Sequence, residues 1–306
     1  MSIALQLTLA LCLDALLGEP KWLWNRLPHP AVLMGQLVRW LDVTLNRTHV
    51  ARTTGVVALV VMVTLAGAVG WALSLFGDVV AICAAAILLA HRSLVEHVGA
   101  VAAGLRLSDA AGRQAVRMIV SRDVSDAAPQ DVARAGIESL AENFSDGVVA
   151  PAFWFLVAGL PGIAIYKMVN TADSMIGYRT PRYADFGWAA ARCDDVLNWV
   201  PARLTALALT LMGGAWHAWA AIRADAALHR SPNAGWPEAA LAHSLSFALA
   251  GPRSYDGAVQ TFPWVNGAGK RALTSSDIDT GVALIWKTWG GIVAALFVLG
   301  GLQWLL

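Results

Sequence analysis

Residues 138–159 read ESLAENFSDGVVAPAFWFLVAG. Glu138, Glu142, Asn143 and Asp146 crowd into its first nine residues, and no charged residue follows until Lys167. Just upstream, Ala133, Ile137, Leu140 and Phe144 recur at helical spacing and form one apolar face. Asp131, Arg134, Glu138 and Glu142 form the other. Glu138 and Glu142 are like charges at i,i+4, a pairing that costs an isolated helix about 0.2–0.5 kcal/mol. Something should compensate, either Arg134 or a bound cation. A hard cation such as Mg²⁺ takes one or two carboxylates together with phosphate oxygens. A plain solvated helix face is the alternative, and the Asn-x-x-Asp-Gly ending favours the site. Beyond Gly147 the chain is apolar over residues 148–166, long enough to span a bilayer core of about 30 Å. Pro151, Gly159, Pro161 and Gly162 interrupt it. That pattern predicts a broken or re-entrant segment, which membrane depth tolerates only where protein or trapped water satisfies the backbone.

The rest of the composition agrees with a membrane setting. Of 306 residues, 57 % are hydrophobic and 14 % charged, against about 25 % charged in soluble domains. Mean hydropathy is +0.56. Further apolar segments occupy residues 3–17, 56–76, 79–90, 205–222 and 288–306. The expected fold is all-α: a single integral membrane domain over residues 1–306, a polytopic helical bundle of four to six membrane segments. Polar segments 18–54, 91–147, 167–203 and 223–281 lie between them. The N-terminus has no basic stretch before its apolar run, so it does not read as a cleaved signal peptide. Net charge is +1, which gives no bulk attraction for nucleic acid. Cys12, Cys83 and Cys193 are too far apart for a zinc or disulfide framework.

The polar segments carry the candidate chemistry. Lys167, Asn170 and Asp173 share one helical stripe in YKMVNTADSMIGYR. In AAARCDDVLNWVPAR, Asp194 and Asp195 precede Asn198 and are flanked by Arg192 and Arg203. SPNAGWPE, with Asn233, reads as a turn entering a helix at Pro237. NGAGKR, with Lys270, could cradle a phosphate but lacks P-loop spacing. His91 and His97 are six apart and share no helical face. Ion pairs and helix–helix contacts are the bland readings of each, but ionisable groups at membrane depth more often mark function.

Taken in order, LDALLGEP, HPAVLMG, VSRDVS, ESLAENFSDGVVAPAFW, GLPGIAIYKMVNTADSMIGYR, FGWAAARCDDVLNWVPARLTAL, HRSPNAGWPEAALA and the Gly-x-Gly-basic stretch before SSDIDTGVALIW resemble the adenosylcobinamide-phosphate synthase family of cobalamin biosynthesis. The resemblance covers nearly the whole chain. It implies ATP- and Mg²⁺-dependent amide ligation of (R)-1-amino-2-propanol, or its O-phosphate, to a propionate of adenosylcobyric acid. It also implies a multi-pass protein of the cell inner membrane, with the corrinoid, the amino-alcohol and the bilayer as partners. Contact with other enzymes of the pathway is a further expectation, and nucleic acid is not a partner. On this reading Glu138, Glu142, Asp146 and Asp173 surround Mg²⁺. Lys167, Arg192, Arg203 and Lys270 hold phosphate, and Asn143, Asn170, Asn198 and Asn233 orient substrate. Glu142, Asp194 and Asp195 are the catalytic carboxylates. Two other readings stay open: a Mg²⁺-dependent phosphotransferase of CDP-alcohol type, and a non-catalytic membrane sensor or transporter.

Overall fold

The computed structural model describes residues 1–47, 51–120, 122–255 and 258–305, with their side chains except at 253–255, 258–260 and 303–305. Ser121 of the VSRDVS motif and the terminal Leu306 lie outside the described residues. The chain opens with α1 (Ile3–Leu17), α2 (Lys21–Trp24), α3 (Pro30–Leu45), α4 (Ala51–Ser74) and α5 (Asp78–Leu88). It continues through α6 (His91–Leu107), α7 (Asp109–Val116) and α8 (Pro129–Phe144). A π-helical turn, Ser145–Val149, leads into α9 (Ala150–Ile176). Next come α10 (Trp188–Leu197), α11 (Trp199–Gly213), α12 (Trp219–Ala226) and α13 (Gly235–Leu245). Strand β1 (Leu249–Ala250) pairs antiparallel with β4 (Trp264–Val265), and β2 (Arg253–Tyr255) with β3 (Ala258–Gln260). The last helix is α14 (Ser275–Leu305).

Among the described residues, four helical runs are long and apolar enough to cross a bilayer: Ala51–Ser74, Asp78–Leu107, Pro129–Ile176 and Ser275–Leu302. The bent pair Trp188–Leu197 and Trp199–Gly213 makes a fifth if it counts as one span. The protein is a multi-pass helical membrane protein. One predicted span is corrected. Residues 205–222 do not form one helix, because α11 stops at Gly213 and Gly214 adopts φ 74, where a side chain would be strained. The apolar run begins earlier instead, at Trp199. The break predicted within 148–166 falls at Ala158 and Gly159, whose dihedrals leave helical space (Gly159 φ 62).

The chain forms two compact units, each built from separated stretches. The first unit comprises residues 1–90, 150–199 and 296–306. Its core joins Ala58, Met62 and Ala66 of α4 to Ala164, Met168 and Ala172 of α9, with Val38 and Leu41 of α3 and Phe186 added. Lipid supplies little hydrophobic drive for helices to associate, so small residues that allow close backbone approach carry the contact. Gly55, Ala58, Met62, Ala66 and Gly70 are the buried residues of α4. Its other face exposes Val57, Val60, Leu65, Val69 and Trp71, as lipid contact requires. His29 precedes α3 and caps it, its Nδ1 accepting the Ala31 N–H at 3.2 Å. Burial lowers its pKa below the ordinary imidazole value, against the opposing pull of Glu19.

The second unit comprises residues 91–149 and 200–295. Its centre is α8, where all residues from Val132 to Ala141 are buried. That stretch therefore has no solvated face, although its sequence is amphipathic, while Asn143 near the helix end is exposed. His91 is fully buried in an aromatic nest, stacked on Trp289 at 5.1 Å and edge-on to Trp286 at 4.4 Å. It is a core residue here, in keeping with the absence of a shared face with His97.

Gly70 tests the packing argument. A Cβ there would lie 2.7 Å from the Leu160 carbonyl oxygen, which is backbone and cannot rotate away. Gly70→Leu is expected to destabilise the protein by about 1–3 kcal/mol, the usual cost of overpacking. Thermal unfolding in detergent would measure it; an unchanged midpoint would defeat the close-approach account.

Candidate functional site

In the second unit, α8 carries Glu138 into the interior at 5 % exposure. Its Oε2 accepts from Arg122 Nη2 at 2.9 Å and its Oε1 from the Ala250 backbone N–H at 2.8 Å. Arg134 is occupied elsewhere: Nη1 binds Asp131, and Nη2 donates to the Arg271 carbonyl at 2.8 Å. The charge opposite Glu138 is therefore Arg122, on the loop after α7, and not Arg134. Ala250 has φ 57, a left-handed conformation that is uncommon for a residue with a side chain. That conformation goes with an N–H aimed at the carboxylate.

Beside this anchor lies a cavity of about 330 Å³. Arg122, Glu138, Glu142, His229, Arg230 and Phe262 are among its lining residues. Arg230 stacks over the Phe262 ring at 4.5 Å. At one end Glu142, His229 and Glu238 offer three donor atoms within 4.8 Å of one another. His229 Nε2 is 4.0 Å from Glu142 Oε1 and 3.8 Å from Glu238 Oε2. Glu142 is half-buried, whereas Glu238 is 1 % exposed on the first turn of α13. A carboxylate at a helix N-terminus is favoured by the helix dipole. Gly235 permits this placement, since a Cβ there would meet the Ala226 carbonyl oxygen at 2.5 Å. Carboxylates of this kind suit a divalent cation that also takes phosphate oxygens.

The remaining second-unit candidates are placed as follows. Asn143 turns back on its own helix, donating to the Ser139 carbonyl at 2.9 Å. Asp146 is half-buried in the π-helical turn, a feature frequent at functional sites. Arg203 Nη1 donates to Asn233 Oδ1 at 3.1 Å, and the guanidinium stacks on Trp236 at 4.9 Å. Asn233 itself is buried. Lys270 donates to both oxygens of Asp277, at 2.8 and 2.7 Å. The NGAGKR loop is tied down as well: Asn266 N–H donates to Asp225 Oδ2 at 2.8 Å. The cation expected to greet phosphate there holds the N-terminus of α14.

In the first unit, α9 and α10 bring a second constellation together. Asp194 accepts from Asn170 Nδ2 at 3.3 Å and from Asn198 Nδ2 at 2.9 Å. Asn198, 1 % exposed, accepts in turn from the Tyr166 hydroxyl at 2.9 Å. Asp173 is within electrostatic reach of Asp194 and Asp195. Arg192 pairs with Asp195 at 3.2 Å while remaining exposed. Lys167 is half-buried on α9 and within electrostatic reach of His29. Gly177 seats the end of this arrangement, its N–H donating to the Asp173 carbonyl at 2.7 Å. Of the four predicted metal carboxylates, Asp173 thus belongs to this unit, and Glu138, Glu142 and Asp146 to the other.

Both constellations lie within the stretch that a family profile matches. A sequence profile of the CobD/Cbib protein family matches residues 7–285. The chain belongs to the CobD/Cbib protein family. It is 48 % identical over 303 residues to the cobalamin biosynthesis protein CobD of Rhizobium meliloti, covering 93 % of each chain. It is 45 % identical over 311 residues to the protein of that name from Rhodobacter capsulatus, covering 97 % of each. The Brucella suis protein of that name is 46 % identical over 319 residues. No solved structure matches the chain.

Charge spacing alone passes over Arg122, His229, Arg230 and Glu238, which lie in VSRDVS and HRSPNAGWPEAALA. No local rule joins His229 to Glu238, nine positions apart, because a turn and a helix start intervene. The motif's density of polar residues was the available signal.

Arg122 provides a direct test of the anchor. Arg122→Ala removes the guanidinium facing a buried carboxylate, which typically costs about 3–5 kcal/mol. Arg122→Ala/Glu138→Gln is expected to regain a substantial part of that loss. Unfolding midpoints of the wild type, both single variants and the double variant measure the coupling. Additive losses would show that the pair is not the anchor.

Proposed function

We propose that this chain acts in cobalamin biosynthesis as a ligase that joins (R)-1-amino-2-propanol, or its O-phosphate, to a propionate of adenosylcobyric acid with consumption of ATP. Family membership supports the pathway. The cavity carries the chemistry: it sets two guanidiniums and an imidazole beside carboxylates suited to a cation. At about 330 Å³ it stands at the low end of ligand pockets. That size fits an amino-alcohol phosphate or a phosphate chain, with the corrinoid presenting only a propionate.

A carboxylate is a poor electrophile at neutral pH and must be activated before an amine attacks it. In the proposed sequence a propionate oxygen attacks the γ-phosphorus of ATP, ADP leaves, and an acyl phosphate results. The amine nitrogen then attacks the acyl carbon, phosphate leaves, and one proton passes to a base. Phosphoryl transfer of this kind depends on positioning and charge neutralisation more than on covalent help from the protein. Arg122 and Arg230 would meet phosphate oxygens in the cavity. A bound divalent cation would supply further neutralisation of the transferred group, with Glu142 and Glu238 as the carboxylates best placed to hold it. Asp194 or Asp195 of the first unit is proposed, separately from the cavity, as a proton acceptor. Asn170 and Asn198 fix the orientation of Asp194, as a general base needs. Lys167, Arg192, Arg203 and Asn233 remain assigned to substrate. The inner membrane is the proposed location.

The test uses the full chain purified in detergent with adenosylcobyric acid, ATP, Mg²⁺, and aminopropanol or its phosphate. Amide product and stoichiometric ADP are expected. Glu142→Gln and Asp194→Asn should each lower kcat by about 10²–10⁴-fold, the usual range for losing a positioned acid–base or charge-stabilising group. Wild-type rates in both variants would remove their roles, and wild-type protein forming neither amide nor ADP would sink the reaction.

A further inference from the structure

We propose that Glu142, His229 and Glu238 form a site for a divalent cation of the Mn²⁺ or Zn²⁺ class, with His229 Nε2 as a nitrogen ligand that sets it apart from a Mg²⁺ site. The inference shares the cavity with the proposed ligation but does not need that reaction for the ion to bind.

Three features carry it. First, the donors have the wrong spacing for hydrogen bonds and the right spacing for coordination. His229 Nε2 lies 3.8 Å from Glu238 Oε2 and 4.0 Å from Glu142 Oε1, beyond the roughly 3.2 Å limit of a good hydrogen bond. Metal–nitrogen and metal–oxygen bonds of about 2.0–2.2 Å put neighbouring donors of a tetrahedron roughly 3.5 Å apart. Contraction of a few tenths of an ångström brings both His229 edges to that spacing, and the third edge, between the two carboxylates, lies within 4.8 Å. Second, Glu238 is 1 % exposed, and its carboxylate is aimed at the imidazole from the first turn of α13. The site thus has a rigid, desolvated wall, while half-buried Glu142 and the cavity provide the way in. Third, the imidazole ring is held in place: its Nδ1 accepts the Ser231 N–H at 3.0 Å. An ion on Nε2 would move the ring proton to Nδ1 and turn that nitrogen to the Ser231 carbonyl oxygen, 3.4 Å away, the way ligating histidines are commonly held.

One nitrogen and two carboxylate oxygens decide the metal class. Mg²⁺ prefers all-oxygen octahedral surroundings and gives up water reluctantly. Imidazole suits zinc, copper, iron and nickel, and carboxylate suits manganese. Glu142 and His229 line the cavity, so water or a substrate oxygen could reach the ion from that side.

The test is metal binding by the full-length chain in detergent without substrates. Metal-stripped protein is titrated with Mn²⁺, bound ion is counted by spin resonance, and imidazole nitrogen is sought in the spin-echo modulation. One equivalent is expected, with a nitrogen signature that a tenfold excess of Mg²⁺ does not abolish. Glu142→Gln and His229→Gln should weaken binding at least tenfold, and His229→Gln should erase the nitrogen signal. Glu142 is half-buried, so its variant keeps the test usable if the others fold poorly. No saturable binding, Mn²⁺ binding unchanged in His229→Gln, or equal displacement by Mg²⁺ would overturn the site. Amide formation by wild-type protein that shows no nitrogen-ligated Mn²⁺ would leave the ligation standing and remove the site. Nitrogen-ligated Mn²⁺ in a protein that forms no amide would do the reverse.

Discussion

A carboxylate removed from water governs the second unit. Taking an ion into a protein interior costs several kcal/mol even after relaxation, and only well-placed partners offset it. Glu138 meets that demand with donors from two distant places, Arg122 sixteen residues earlier and the Ala250 N–H 112 residues later. Holding an alanine at φ 57 costs about 1–3 kcal/mol of backbone strain. The arrangement persists because the α8 carboxylate, the post-α7 loop and β1 fix one another. All three of these residues line the same cavity. Its wall is therefore set by a buried charge with fixed partners, which is how fixed charges remain in place without solvent reorganisation.

The legible parts of the fold were those governed by local rules. An uncharged run of about twenty residues is a membrane segment whatever surrounds it, so residues 56–76 were readable, and the structure extends them to Ala51–Ser74. The 3.6-residue period of α8 was equally plain. Its environment was not: a polar stripe looks the same whether water or Arg122 lies opposite it. The 205–222 segment misled because hydropathy averages over Gly213 and Gly214, where backbone geometry ends the helix. Lys270 misled for a related reason. Gly-x-Gly-Lys suggests a phosphate cradle until Asp277, seven residues on, is seen to take the ammonium. In both cases the deciding fact was a conformation or a contact that no composition window contains.

The candidate site divides along the same line. Glu142, Asp194 and Asn198 drew attention through crowding of like charges or amides within one or two turns. His229 and Glu238 did not, since a turn and a helix start separate them. Only when α12 and α13 pack closely, through the missing side chain at Gly235, do the imidazole and the two carboxylates converge.

The first unit applies the same constraint on helices rich enough in apolar residues to enter a bilayer. There an unsatisfied polar group would be costlier still, and Asp194 is met by Asn170 and Asn198 while Tyr166 holds Asn198. Each member fixes the next, so removing one loosens the rest, and hydrogen bonds chained in a low-dielectric interior strengthen one another. Such a network is expensive to assemble and unnecessary for packing, because α4 and α9 already interlock through small residues. Its presence among spans otherwise filled with alanine, valine and leucine is better explained by a carboxylate whose orientation matters. Fixed amide donors, rather than mobile water, set where its lone pairs point, which is the property that the proposed role of proton acceptor would require.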